Sequence, residues 1–145
     1  LLEGVIDIYM PDFKYSQRQV AEKYSKAPDY PQVAKLALKE MHRQVGDLVL
    51  DEEGIAHRGL LVRHLVFPQN LAGTAQIMEF LSSQISPNTY VNIMDQYYPC
   101  GQVEAGSPLA RRITSQEYEQ ALASAREAGL TRLDKREKFL LIWRF

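Results

Sequence analysis

Short apolar runs alternate with longer segments of helical periodicity along this chain. The first run, residues 5–10, is rich in β-branched and aromatic side chains and stops at Pro11, which predicts a strand. Ser16 is expected to cap a short helix over residues 17–24, because a serine oxygen can accept a hydrogen bond from an unpaired N–H of the first turn. The chain therefore opens with a strand followed by a helix.

A longer amphipathic helix is predicted over residues 30–45, with Pro31 near its start. Its apolar residues recur at spacings of three, four and eight. The face expected to be buried consists of Val33, Leu36, Ala37, Met41 and Val45.

A small hairpin is predicted next, before the second main strand. Residues 48–50 and 55–56 flank a turn over 51–54 and are expected to form its two arms. The main strand follows over residues 59–67 as a nearly continuous apolar run that ends at Pro68. A run of this kind is typical of a strand covered on both faces, as in parallel sheets.

The second half of the chain repeats the same order of elements. Residues 70–73 lead into a helix that extends to Ile85, and residues 90–94 form a third strand. A long loop containing residues 97–101 follows, and loops of this length usually serve a function.

The last helix has signals at both of its ends. Thr114 with Glu117 three residues later predicts a capping box, and Gly129 predicts the helix end. The tail, residues 138–145, has the composition of a further strand.

This alternation of strands and helices predicts an α/β fold built from successive βαβ units around a parallel sheet. Three main strands are fewer than half of those in a (β/α)8 barrel. We expect residues 1–145 to form a single unit around this sheet, with the hairpin as a small insertion.

Composition narrows the range of partners. The 145 residues are 46% hydrophobic and carry a formal net charge of -1, which is typical of a globular domain and offers no basic footprint for nucleic acid. No apolar stretch approaches the ~20 residues of a membrane span, and no signal peptide is evident, so we expect a cytoplasmic protein. The abrupt start at Leu1 is interpreted as an excision boundary.

Polar residues that follow parallel strands are the first candidates for ligand binding. Asp12 and Lys14 follow the first strand and are two residues apart, so an extended backbone directs both side chains the same way, where they could hold a zwitterion. The alternative is a solvated turn with two ordinary surface charges.

Arg63 lies inside an apolar strand, where an ionised guanidinium requires a carboxylate or phosphate partner. It could bind a ligand or form a structural ion pair. The next residue, His64, must point to the opposite face, where a hydrogen-bonded histidine against a helix is expected.

The third strand and its end offer weaker candidates: Asn92, Asp95, Gln96 and Tyr97. Cys100 is the only cysteine, which excludes an internal disulfide and any site that needs several thiolates from this chain. A lone cytoplasmic thiol seldom acts as a nucleophile.

Taken together, these segments resemble the C-terminal part of pyruvate formate-lyase activating enzymes of the radical-SAM superfamily. The resemblance spans nearly the whole chain in order and spacing. It is carried by Val5 and Asp7 with Ile8-Tyr9-Met10-Pro11-Asp12-Phe13-Lys14-Tyr15, Ala21-Glu22-Lys23-Tyr24-Ser25, Ala27-Pro28-Asp29-Tyr30, Gly59-Leu60-Leu61-Val62-Arg63-His64-Leu65-Val66 with Pro68, and Tyr90-Val91-Asn92-Ile93-Met94 with Gln96-Tyr97.

The resemblance implies the C-terminal portion of a radical-SAM (β/α)6 barrel whose later strands bind S-adenosylmethionine. Asp12, Lys14 and Arg63 match family residues that contact the methionine and ribose parts of that cofactor. Gln96 and Tyr97 are the nearest match to further contacts, although related enzymes place a histidine there. The implied activity is reductive cleavage of S-adenosylmethionine to a 5′-deoxyadenosyl radical, with a glycyl-radical enzyme as the partner.

The family motif Cys-x3-Cys-x2-Cys, which holds a four-iron, four-sulfur cluster, is absent from this chain, and Cys100 cannot replace it. We therefore expect the chain to lack turnover by itself, and its first strand to be an open barrel edge prone to self-association. The alternative is a free-standing α/β binding or interaction module without redox chemistry.

Overall fold

The computed structural model describes residues 2–134 and contains one small, mostly parallel sheet. The central strand β3 (Ala56–Leu65) pairs in parallel with β1 (Ile8–Tyr9) and with β4 (Tyr90–Met94). Strand β2 (Val49–Leu50) pairs antiparallel with the first residues of β3. The predicted α/β class is confirmed.

The backbone of β3 determines which strand lies on which side. The N–H groups of Gly59 and Arg63 donate to the β1 segment, whereas those of Leu60 and Val66 donate in the opposite direction. Successive N–H groups of a strand alternate in direction, so β1 lies on one side of β3, and β2 and β4 lie on the other. Among the described residues β1 pairs with β3 alone, and the sheet is open at that edge.

The first strand is shorter than the run over residues 5–10 predicts. The N–H groups of Val5 and Ile6 donate to the carbonyl of Leu2, so these residues form a turn instead of extending β1. Pairing resumes beyond Pro11, where residue 12 forms a parallel bridge with Arg63. The strand thus carries its polar end alongside the middle of β3.

The predicted hairpin exists, but it is not a separate insertion. Its second arm continues directly into the main strand, so that β3 runs without a break from residue 56 to residue 65. Gly59 makes this possible. Its φ is +118°, and the backbones of Asp47 and Leu48 lie so close to its Cα that a side chain would not fit there. This close approach could not be read from the sequence.

Four helices of the described residues pack around the sheet, and the last of them begins where the sequence predicts. The last helix begins with the predicted capping box, in which Thr114 Oγ1 accepts from the N–H of Glu117 at 3.1 Å and Glu117 Oε2 accepts from the N–H of Thr114 at 2.8 Å. No helix in the described part of the chain has the length and hydropathy needed to cross a membrane. The helices are α1 (Arg18–Ser25), α2 (Tyr30–Val45), α3 (Thr74–Phe80, continued by a π-helical turn over Leu81–Ile85) and α4 (Ser115–Glu127).

The range of α2 agrees with the prediction, but its buried face does not. Leu38 and Val45 are buried and Ala34 and Met41 pack beside them, whereas Val33 and Leu36 are 60% and 62% exposed. Apolar residues cover a wide arc of this helix. The sheet covers only the side formed by Ala34, Leu38, Met41 and Val45, which follow one another at spacings of four, three and four. Periodicity alone could not select between the two adjacent sides.

The predicted cap at Ser16 is also wrong. Gln17 occupies the cap position of α1 without a side-chain hydrogen bond, and Ser16 Oγ lies buried against Gly73 with no partner among the described residues. The N–H of Ser16 donates instead to the carbonyl of Ala72 at 2.9 Å. This bond ties the segment after β1 to the start of α3.

The main core lies between the sheet and helices α2, α3 and α4. Past α4, Leu133 forms a parallel bridge with Val91, so the chain returns to the sheet beside β4. The tail strand predicted over residues 138–145 lies outside the described residues. The fully buried core side chains include Phe13, Leu60, Val62, Ile77, Met78, Leu81, Val91 and Leu130.

Candidate functional site

A cleft of about 1070 Å³ opens at the carboxyl ends of β1, β3 and β4. This is the end of a parallel sheet at which α/β proteins place their ligands. All five site residues predicted from the sequence line the cleft. Asp12 and Lys14 come from the end of β1, Arg63 from β3, and Gln96 and Tyr97 from the segment after β4.

The backbone after β1 directs Asp12 and Lys14 into the same space. Phe13 between them is fully buried, so the side chains alternate as predicted for an extended segment. The Tyr30 hydroxyl donates to the carbonyl of Asp12 at 2.9 Å and accepts from the N–H of Lys14 at 2.9 Å. Burial raises the pKa of the Tyr30 phenol, so it stays neutral and holds this segment in one shape.

Arg63 and Asp12 form an ion pair in the cleft wall. Arg63 Nε donates to Asp12 Oδ1 at 2.7 Å, and the two side chains are 37% and 34% exposed. The Nη groups of Arg63 have no protein partner among the described residues. Both alternatives considered for Arg63 are therefore compatible with the geometry, because the pair uses one edge of the guanidinium and leaves the other for a ligand.

His64 points to the opposite face of β3 and is fully buried, as predicted. Its Nδ1 lies 2.8 Å from the carbonyl of Phe13 and its Nε2 lies 2.9 Å from Thr74 Oγ1. Since a carbonyl can only accept, Nδ1–H donates to Phe13 and Nε2 accepts from the Thr74 hydroxyl. Burial lowers the pKa of His64 to about 4, which keeps the imidazole neutral while it anchors the segment that carries Asp12 and Lys14.

An aromatic wall, formed by Tyr15, Phe67 and Tyr97, closes one side of the cleft. The rings of Tyr15 and Phe67 stack with centroids 5.5 Å apart, and Tyr97 meets Phe67 edge-on at 5.2 Å. The Tyr97 hydroxyl donates to the carbonyl of Leu109 at 2.8 Å, which secures the loop over residues 102–109 as a further wall. Gln96 Nε2 lies 3.6 Å from Met94 Sδ.

Other candidates from the same region behave differently. Asn92 pairs with Arg63 in the strand register, and neither Asn92 nor Asp95 lines the cleft. Cys100 does line it and is exposed. Within residues 2–134, no group of three or more His, Cys, Asp or Glu side chains is placed to hold a metal ion.

The sequence does not signal one wall of the cleft. The end of α1 brings Lys23, Tyr24 and Lys26 to its opening, although nothing in their spacing distinguishes them from an ordinary solvated helix face. Their placement depends on how α1 packs beside the segment after β1. The opposite wall, residues 102–109, had one signal in the sequence, which was the length of the loop after β4.

Fold and cleft define an α/β protein with a charged and aromatic binding cleft at the carboxyl ends of its parallel strands. The chain is similar to an uncharacterized protein of the archaeon Methanocaldococcus jannaschii, with 34% identity over 131 residues. The match covers 90% of this chain and 34% of that protein, so the chain spans about a third of the length of its relative. No family model and no solved structure matches the chain.

Proposed function

We propose that this chain is the C-terminal part of a radical-SAM enzyme of the glycyl-radical-activating kind, and that its cleft holds part of S-adenosylmethionine. The supporting observation is that Asp12, Lys14 and Arg63, which the family resemblance singles out, line one cleft at the carboxyl ends of neighbouring parallel strands. In this proposal the sheet is a segment of a (β/α)6 barrel, and the open edge of β1 is covered in the longer protein. The archaeal relative is longer than this chain, which agrees with the chain being part of a longer protein.

The charges of the cleft suit the methionyl part of this cofactor, which carries an ammonium and a carboxylate. Asp12 keeps an oxygen that Arg63 does not use and can accept from the ammonium. The Nη groups of Arg63 and the ammonium of Lys14 can donate to the carboxylate or to the ribose hydroxyls. These residues orient the cofactor and act as neither acids nor bases.

The aromatic wall suits the remaining parts of the cofactor. Tyr97 is the partly exposed ring of the wall, and its π-system can stack on a flat base or attract a sulfonium cation, while the buried rings of Tyr15 and Phe67 support it from behind. Because these rings pack on one another, the wall is already in place before a ligand arrives. It also excludes water from one side of the bound molecule.

When bound, S-adenosylmethionine supplies the 5′-deoxyadenosyl group that abstracts hydrogen, and in this proposal the partner is a cytoplasmic glycyl-radical enzyme. The chain itself binds and orients the cofactor. Its single cysteine does not suit a four-iron, four-sulfur cluster, so the cluster ligands belong to another part of the longer protein. The isolated chain is therefore expected to show no turnover.

Calorimetric titration of the natural gene product with S-adenosylmethionine tests the assignment. Arg63→Met is expected to weaken binding about tenfold or more, because it removes charged donors from the site. Arg58→Met is the matched control, since Arg58 lies on the same strand roughly 16 Å earlier and donates to the carbonyl of Gln44 at 3.2 Å. Equal affinity of the Arg63→Met variant and the wild type would contradict the proposal.

A second candidate is an α/β binding module without redox chemistry. One observation favours it, since the cleft is walled by α1, three strand ends and the loop over residues 102–109, all within this chain. The two candidates differ in one measurable property. Under anaerobic reduction, the natural gene product forms 5′-deoxyadenosine only if the radical-SAM proposal is correct.

A further inference from the structure

We infer that the C-terminal end of α1 forms a second subsite in the cleft, where Lys23 and Lys26 bind an anionic group of a small-molecule substrate. The anion is a carboxylate or a phosphate, and the substrate lies beside the cofactor. This inference rests on the proposed function for the neighbouring occupant of the cleft. The two lysines themselves play no part in that assignment.

The charge of the cleft is the first observation. The chain as a whole has a net charge of -1, yet the cleft lining holds twice as many cations as carboxylates. One of those carboxylates, Asp12, is already paired with Arg63. The cations are Lys14, Lys23, Lys26 and Arg63, and the carboxylates are Asp12 and Glu104.

None of the three lysines has an ion-pair partner in the part of the chain that the structure describes. Lys23 Nζ lies 5.3 Å from the centre of the Tyr24 ring, which also lines the cleft. The ammonium of Lys23 is thus placed beside a ring of the cleft lining, and no carboxylate of the described residues neutralises it. The excess of positive charge attracts an anion to this cleft.

Lys26 has a backbone conformation that residues with a Cβ adopt less often than glycine does. It ends α1 in the left-handed region, with φ of 54° and ψ of 30°. Helices usually place glycine at such an end, because any Cβ strains this conformation. This conformation ends the helix at Lys26, which lines the cleft.

A hydrogen bond links this helix end to the cofactor part of the cleft. Ser25 Oγ donates to the Tyr15 hydroxyl at 3.1 Å, so the residue between Tyr24 and Lys26 is tied to the aromatic wall. An anion bound by the lysines would therefore lie next to a ligand stacked on that wall. The volume of about 1070 Å³ lies just above the usual range for a single small-molecule site, which leaves room for two small occupants.

The test uses inorganic pyrophosphate and citrate as separate probes, titrated calorimetrically into the natural gene product. Binding of at least one probe is expected, and whichever binds identifies the anion as phosphate or carboxylate. Replacing both lysines, Lys23→Gln with Lys26→Gln, is expected to weaken that binding about tenfold or more. The matched control replaces Lys35 and Lys39 with Gln, because these two lysines lie over the Phe80 ring, outside the cleft.

Lys26→Gly separates the proposed role from a structural one. It removes the strained Cβ, so the thermal midpoint is expected to stay equal or rise while probe binding falls. A merely structural lysine would leave binding unchanged. The inference is overturned if neither probe binds, or if both double variants lose affinity equally. It is also overturned if an octaglutamate peptide displaces both probes from the wild type but does not bind the Lys23→Gln, Lys26→Gln variant, because the lysines would then bind an acidic segment of protein.

Titration of the same variants with S-adenosylmethionine distinguishes this inference from the proposed function. The Lys23→Gln, Lys26→Gln variant is expected to bind the cofactor as the wild type does. If the wild type does not bind the cofactor but binds a probe through the two lysines, the proposed function fails and the anion subsite stands. If the cofactor binds and the probes do not, the subsite fails alone.

Discussion

Arg63 Nε donates a 2.7 Å hydrogen bond to Asp12 Oδ1, and the same two residues are partners in the parallel register between the end of β1 and β3. The ion pair is therefore set by the backbone alignment and not by a chance meeting of long side chains. A shift of one residue in this register would turn Arg63 into the core and His64 into the cleft. The polar end of β1 and the middle of β3 consequently form one preorganised unit.

Asp12→Asn tests whether this unit serves binding or stability. The substitution keeps an oxygen that can accept from Arg63 but removes the negative charge. Because both side chains are about one-third exposed, the free energy of unfolding should change by less than ~1 kcal/mol. Binding of S-adenosylmethionine should weaken about tenfold, because the ammonium loses its counter-charge. Denaturant unfolding and calorimetric titration measure the two effects.

Asp29→Asn is the matched control for Asp12→Asn. Asp29 pairs with Arg18 at 3.1 Å on the surface, and neither side chain lines the cleft. The control should leave cofactor affinity unchanged. Equal affinity of the Asp12→Asn variant and the wild type would mean that the ion pair is structural only.

His64 predicts how stability depends on pH. Burial lowers its pKa from 6.5 to about 4, so the native imidazole stays neutral in a range where the unfolded chain takes up a proton. Protonation then favours the unfolded state, and this contribution to stability is complete above pH 6.5 and is lost as the pH falls toward 4. The loss should amount to about 3 kcal/mol in the free energy of unfolding.

Denaturant unfolding of His64→Asn between these pH values isolates the contribution. The asparagine amide can still donate to the Phe13 carbonyl, but it does not titrate, so the variant should be less stable at neutral pH and should depend less steeply on pH than the wild type. His57→Asn, at an exposed position, should keep most of the wild-type slope. An unchanged slope in His64→Asn would contradict the assignment of a neutral buried imidazole.

Gly59→Ala should be strongly destabilising. At φ of +118°, with the backbone of Asp47 and Leu48 against its Cα, the added methyl group has no space, and we expect a loss of ~3 kcal/mol or more. Gly54→Ala is the matched control, because Gly54 also has a positive φ, +81°, but open space around it, and it should lose only about 1 kcal/mol. Similar losses in thermal or denaturant unfolding would show that the close approach at β2 is not required.

The open edge of β1 predicts self-association of the isolated chain. The described residues give β1 one neighbour only, and Ile8 and Met10 expose apolar side chains there. Sedimentation equilibrium should detect dimers or larger species, and Met10→Lys should weaken them. Val49→Lys is the matched control, because Val49 is an exposed apolar residue on β2 away from this edge, and it should not weaken the association. A wild-type chain that stays monomeric at millimolar concentration would refute the prediction.

The order of elements and five of the cleft-lining residues could be predicted. The order depends on local sequence pattern, and the five residues follow from the rule that ligands bind at the carboxyl ends of parallel strands. An apolar run containing Arg63, followed by Pro68, indicates a buried parallel strand, and polar residues after such strands collect at one edge of the sheet. The opposite directions of Arg63 and His64 follow from strand alternation alone. These predictions needed no knowledge of which elements pack together.

Apart from the local turn that shortens β1, the incorrect predictions concern packing between distant segments. The buried side of α2 depends on which part of its wide apolar arc the sheet covers, and the merging of the hairpin with β3 depends on the backbone contact at Gly59. Ser16 fails as a cap because its backbone is held by the segment before α3. The lysines at the end of α1 belong to the same group, since only tertiary structure places them at the cleft.

The intact mass and sequence of the natural gene product test the central proposal most directly. We expect a longer protein in which this chain is preceded by a segment carrying three cysteines in the spacing Cys-x3-Cys-x2-Cys. Those cysteines would supply the cluster ligands that the single Cys100 cannot. A natural product that begins at or just before Leu1, or a longer one without this motif, would contradict the radical-SAM assignment and leave the binding module in its place.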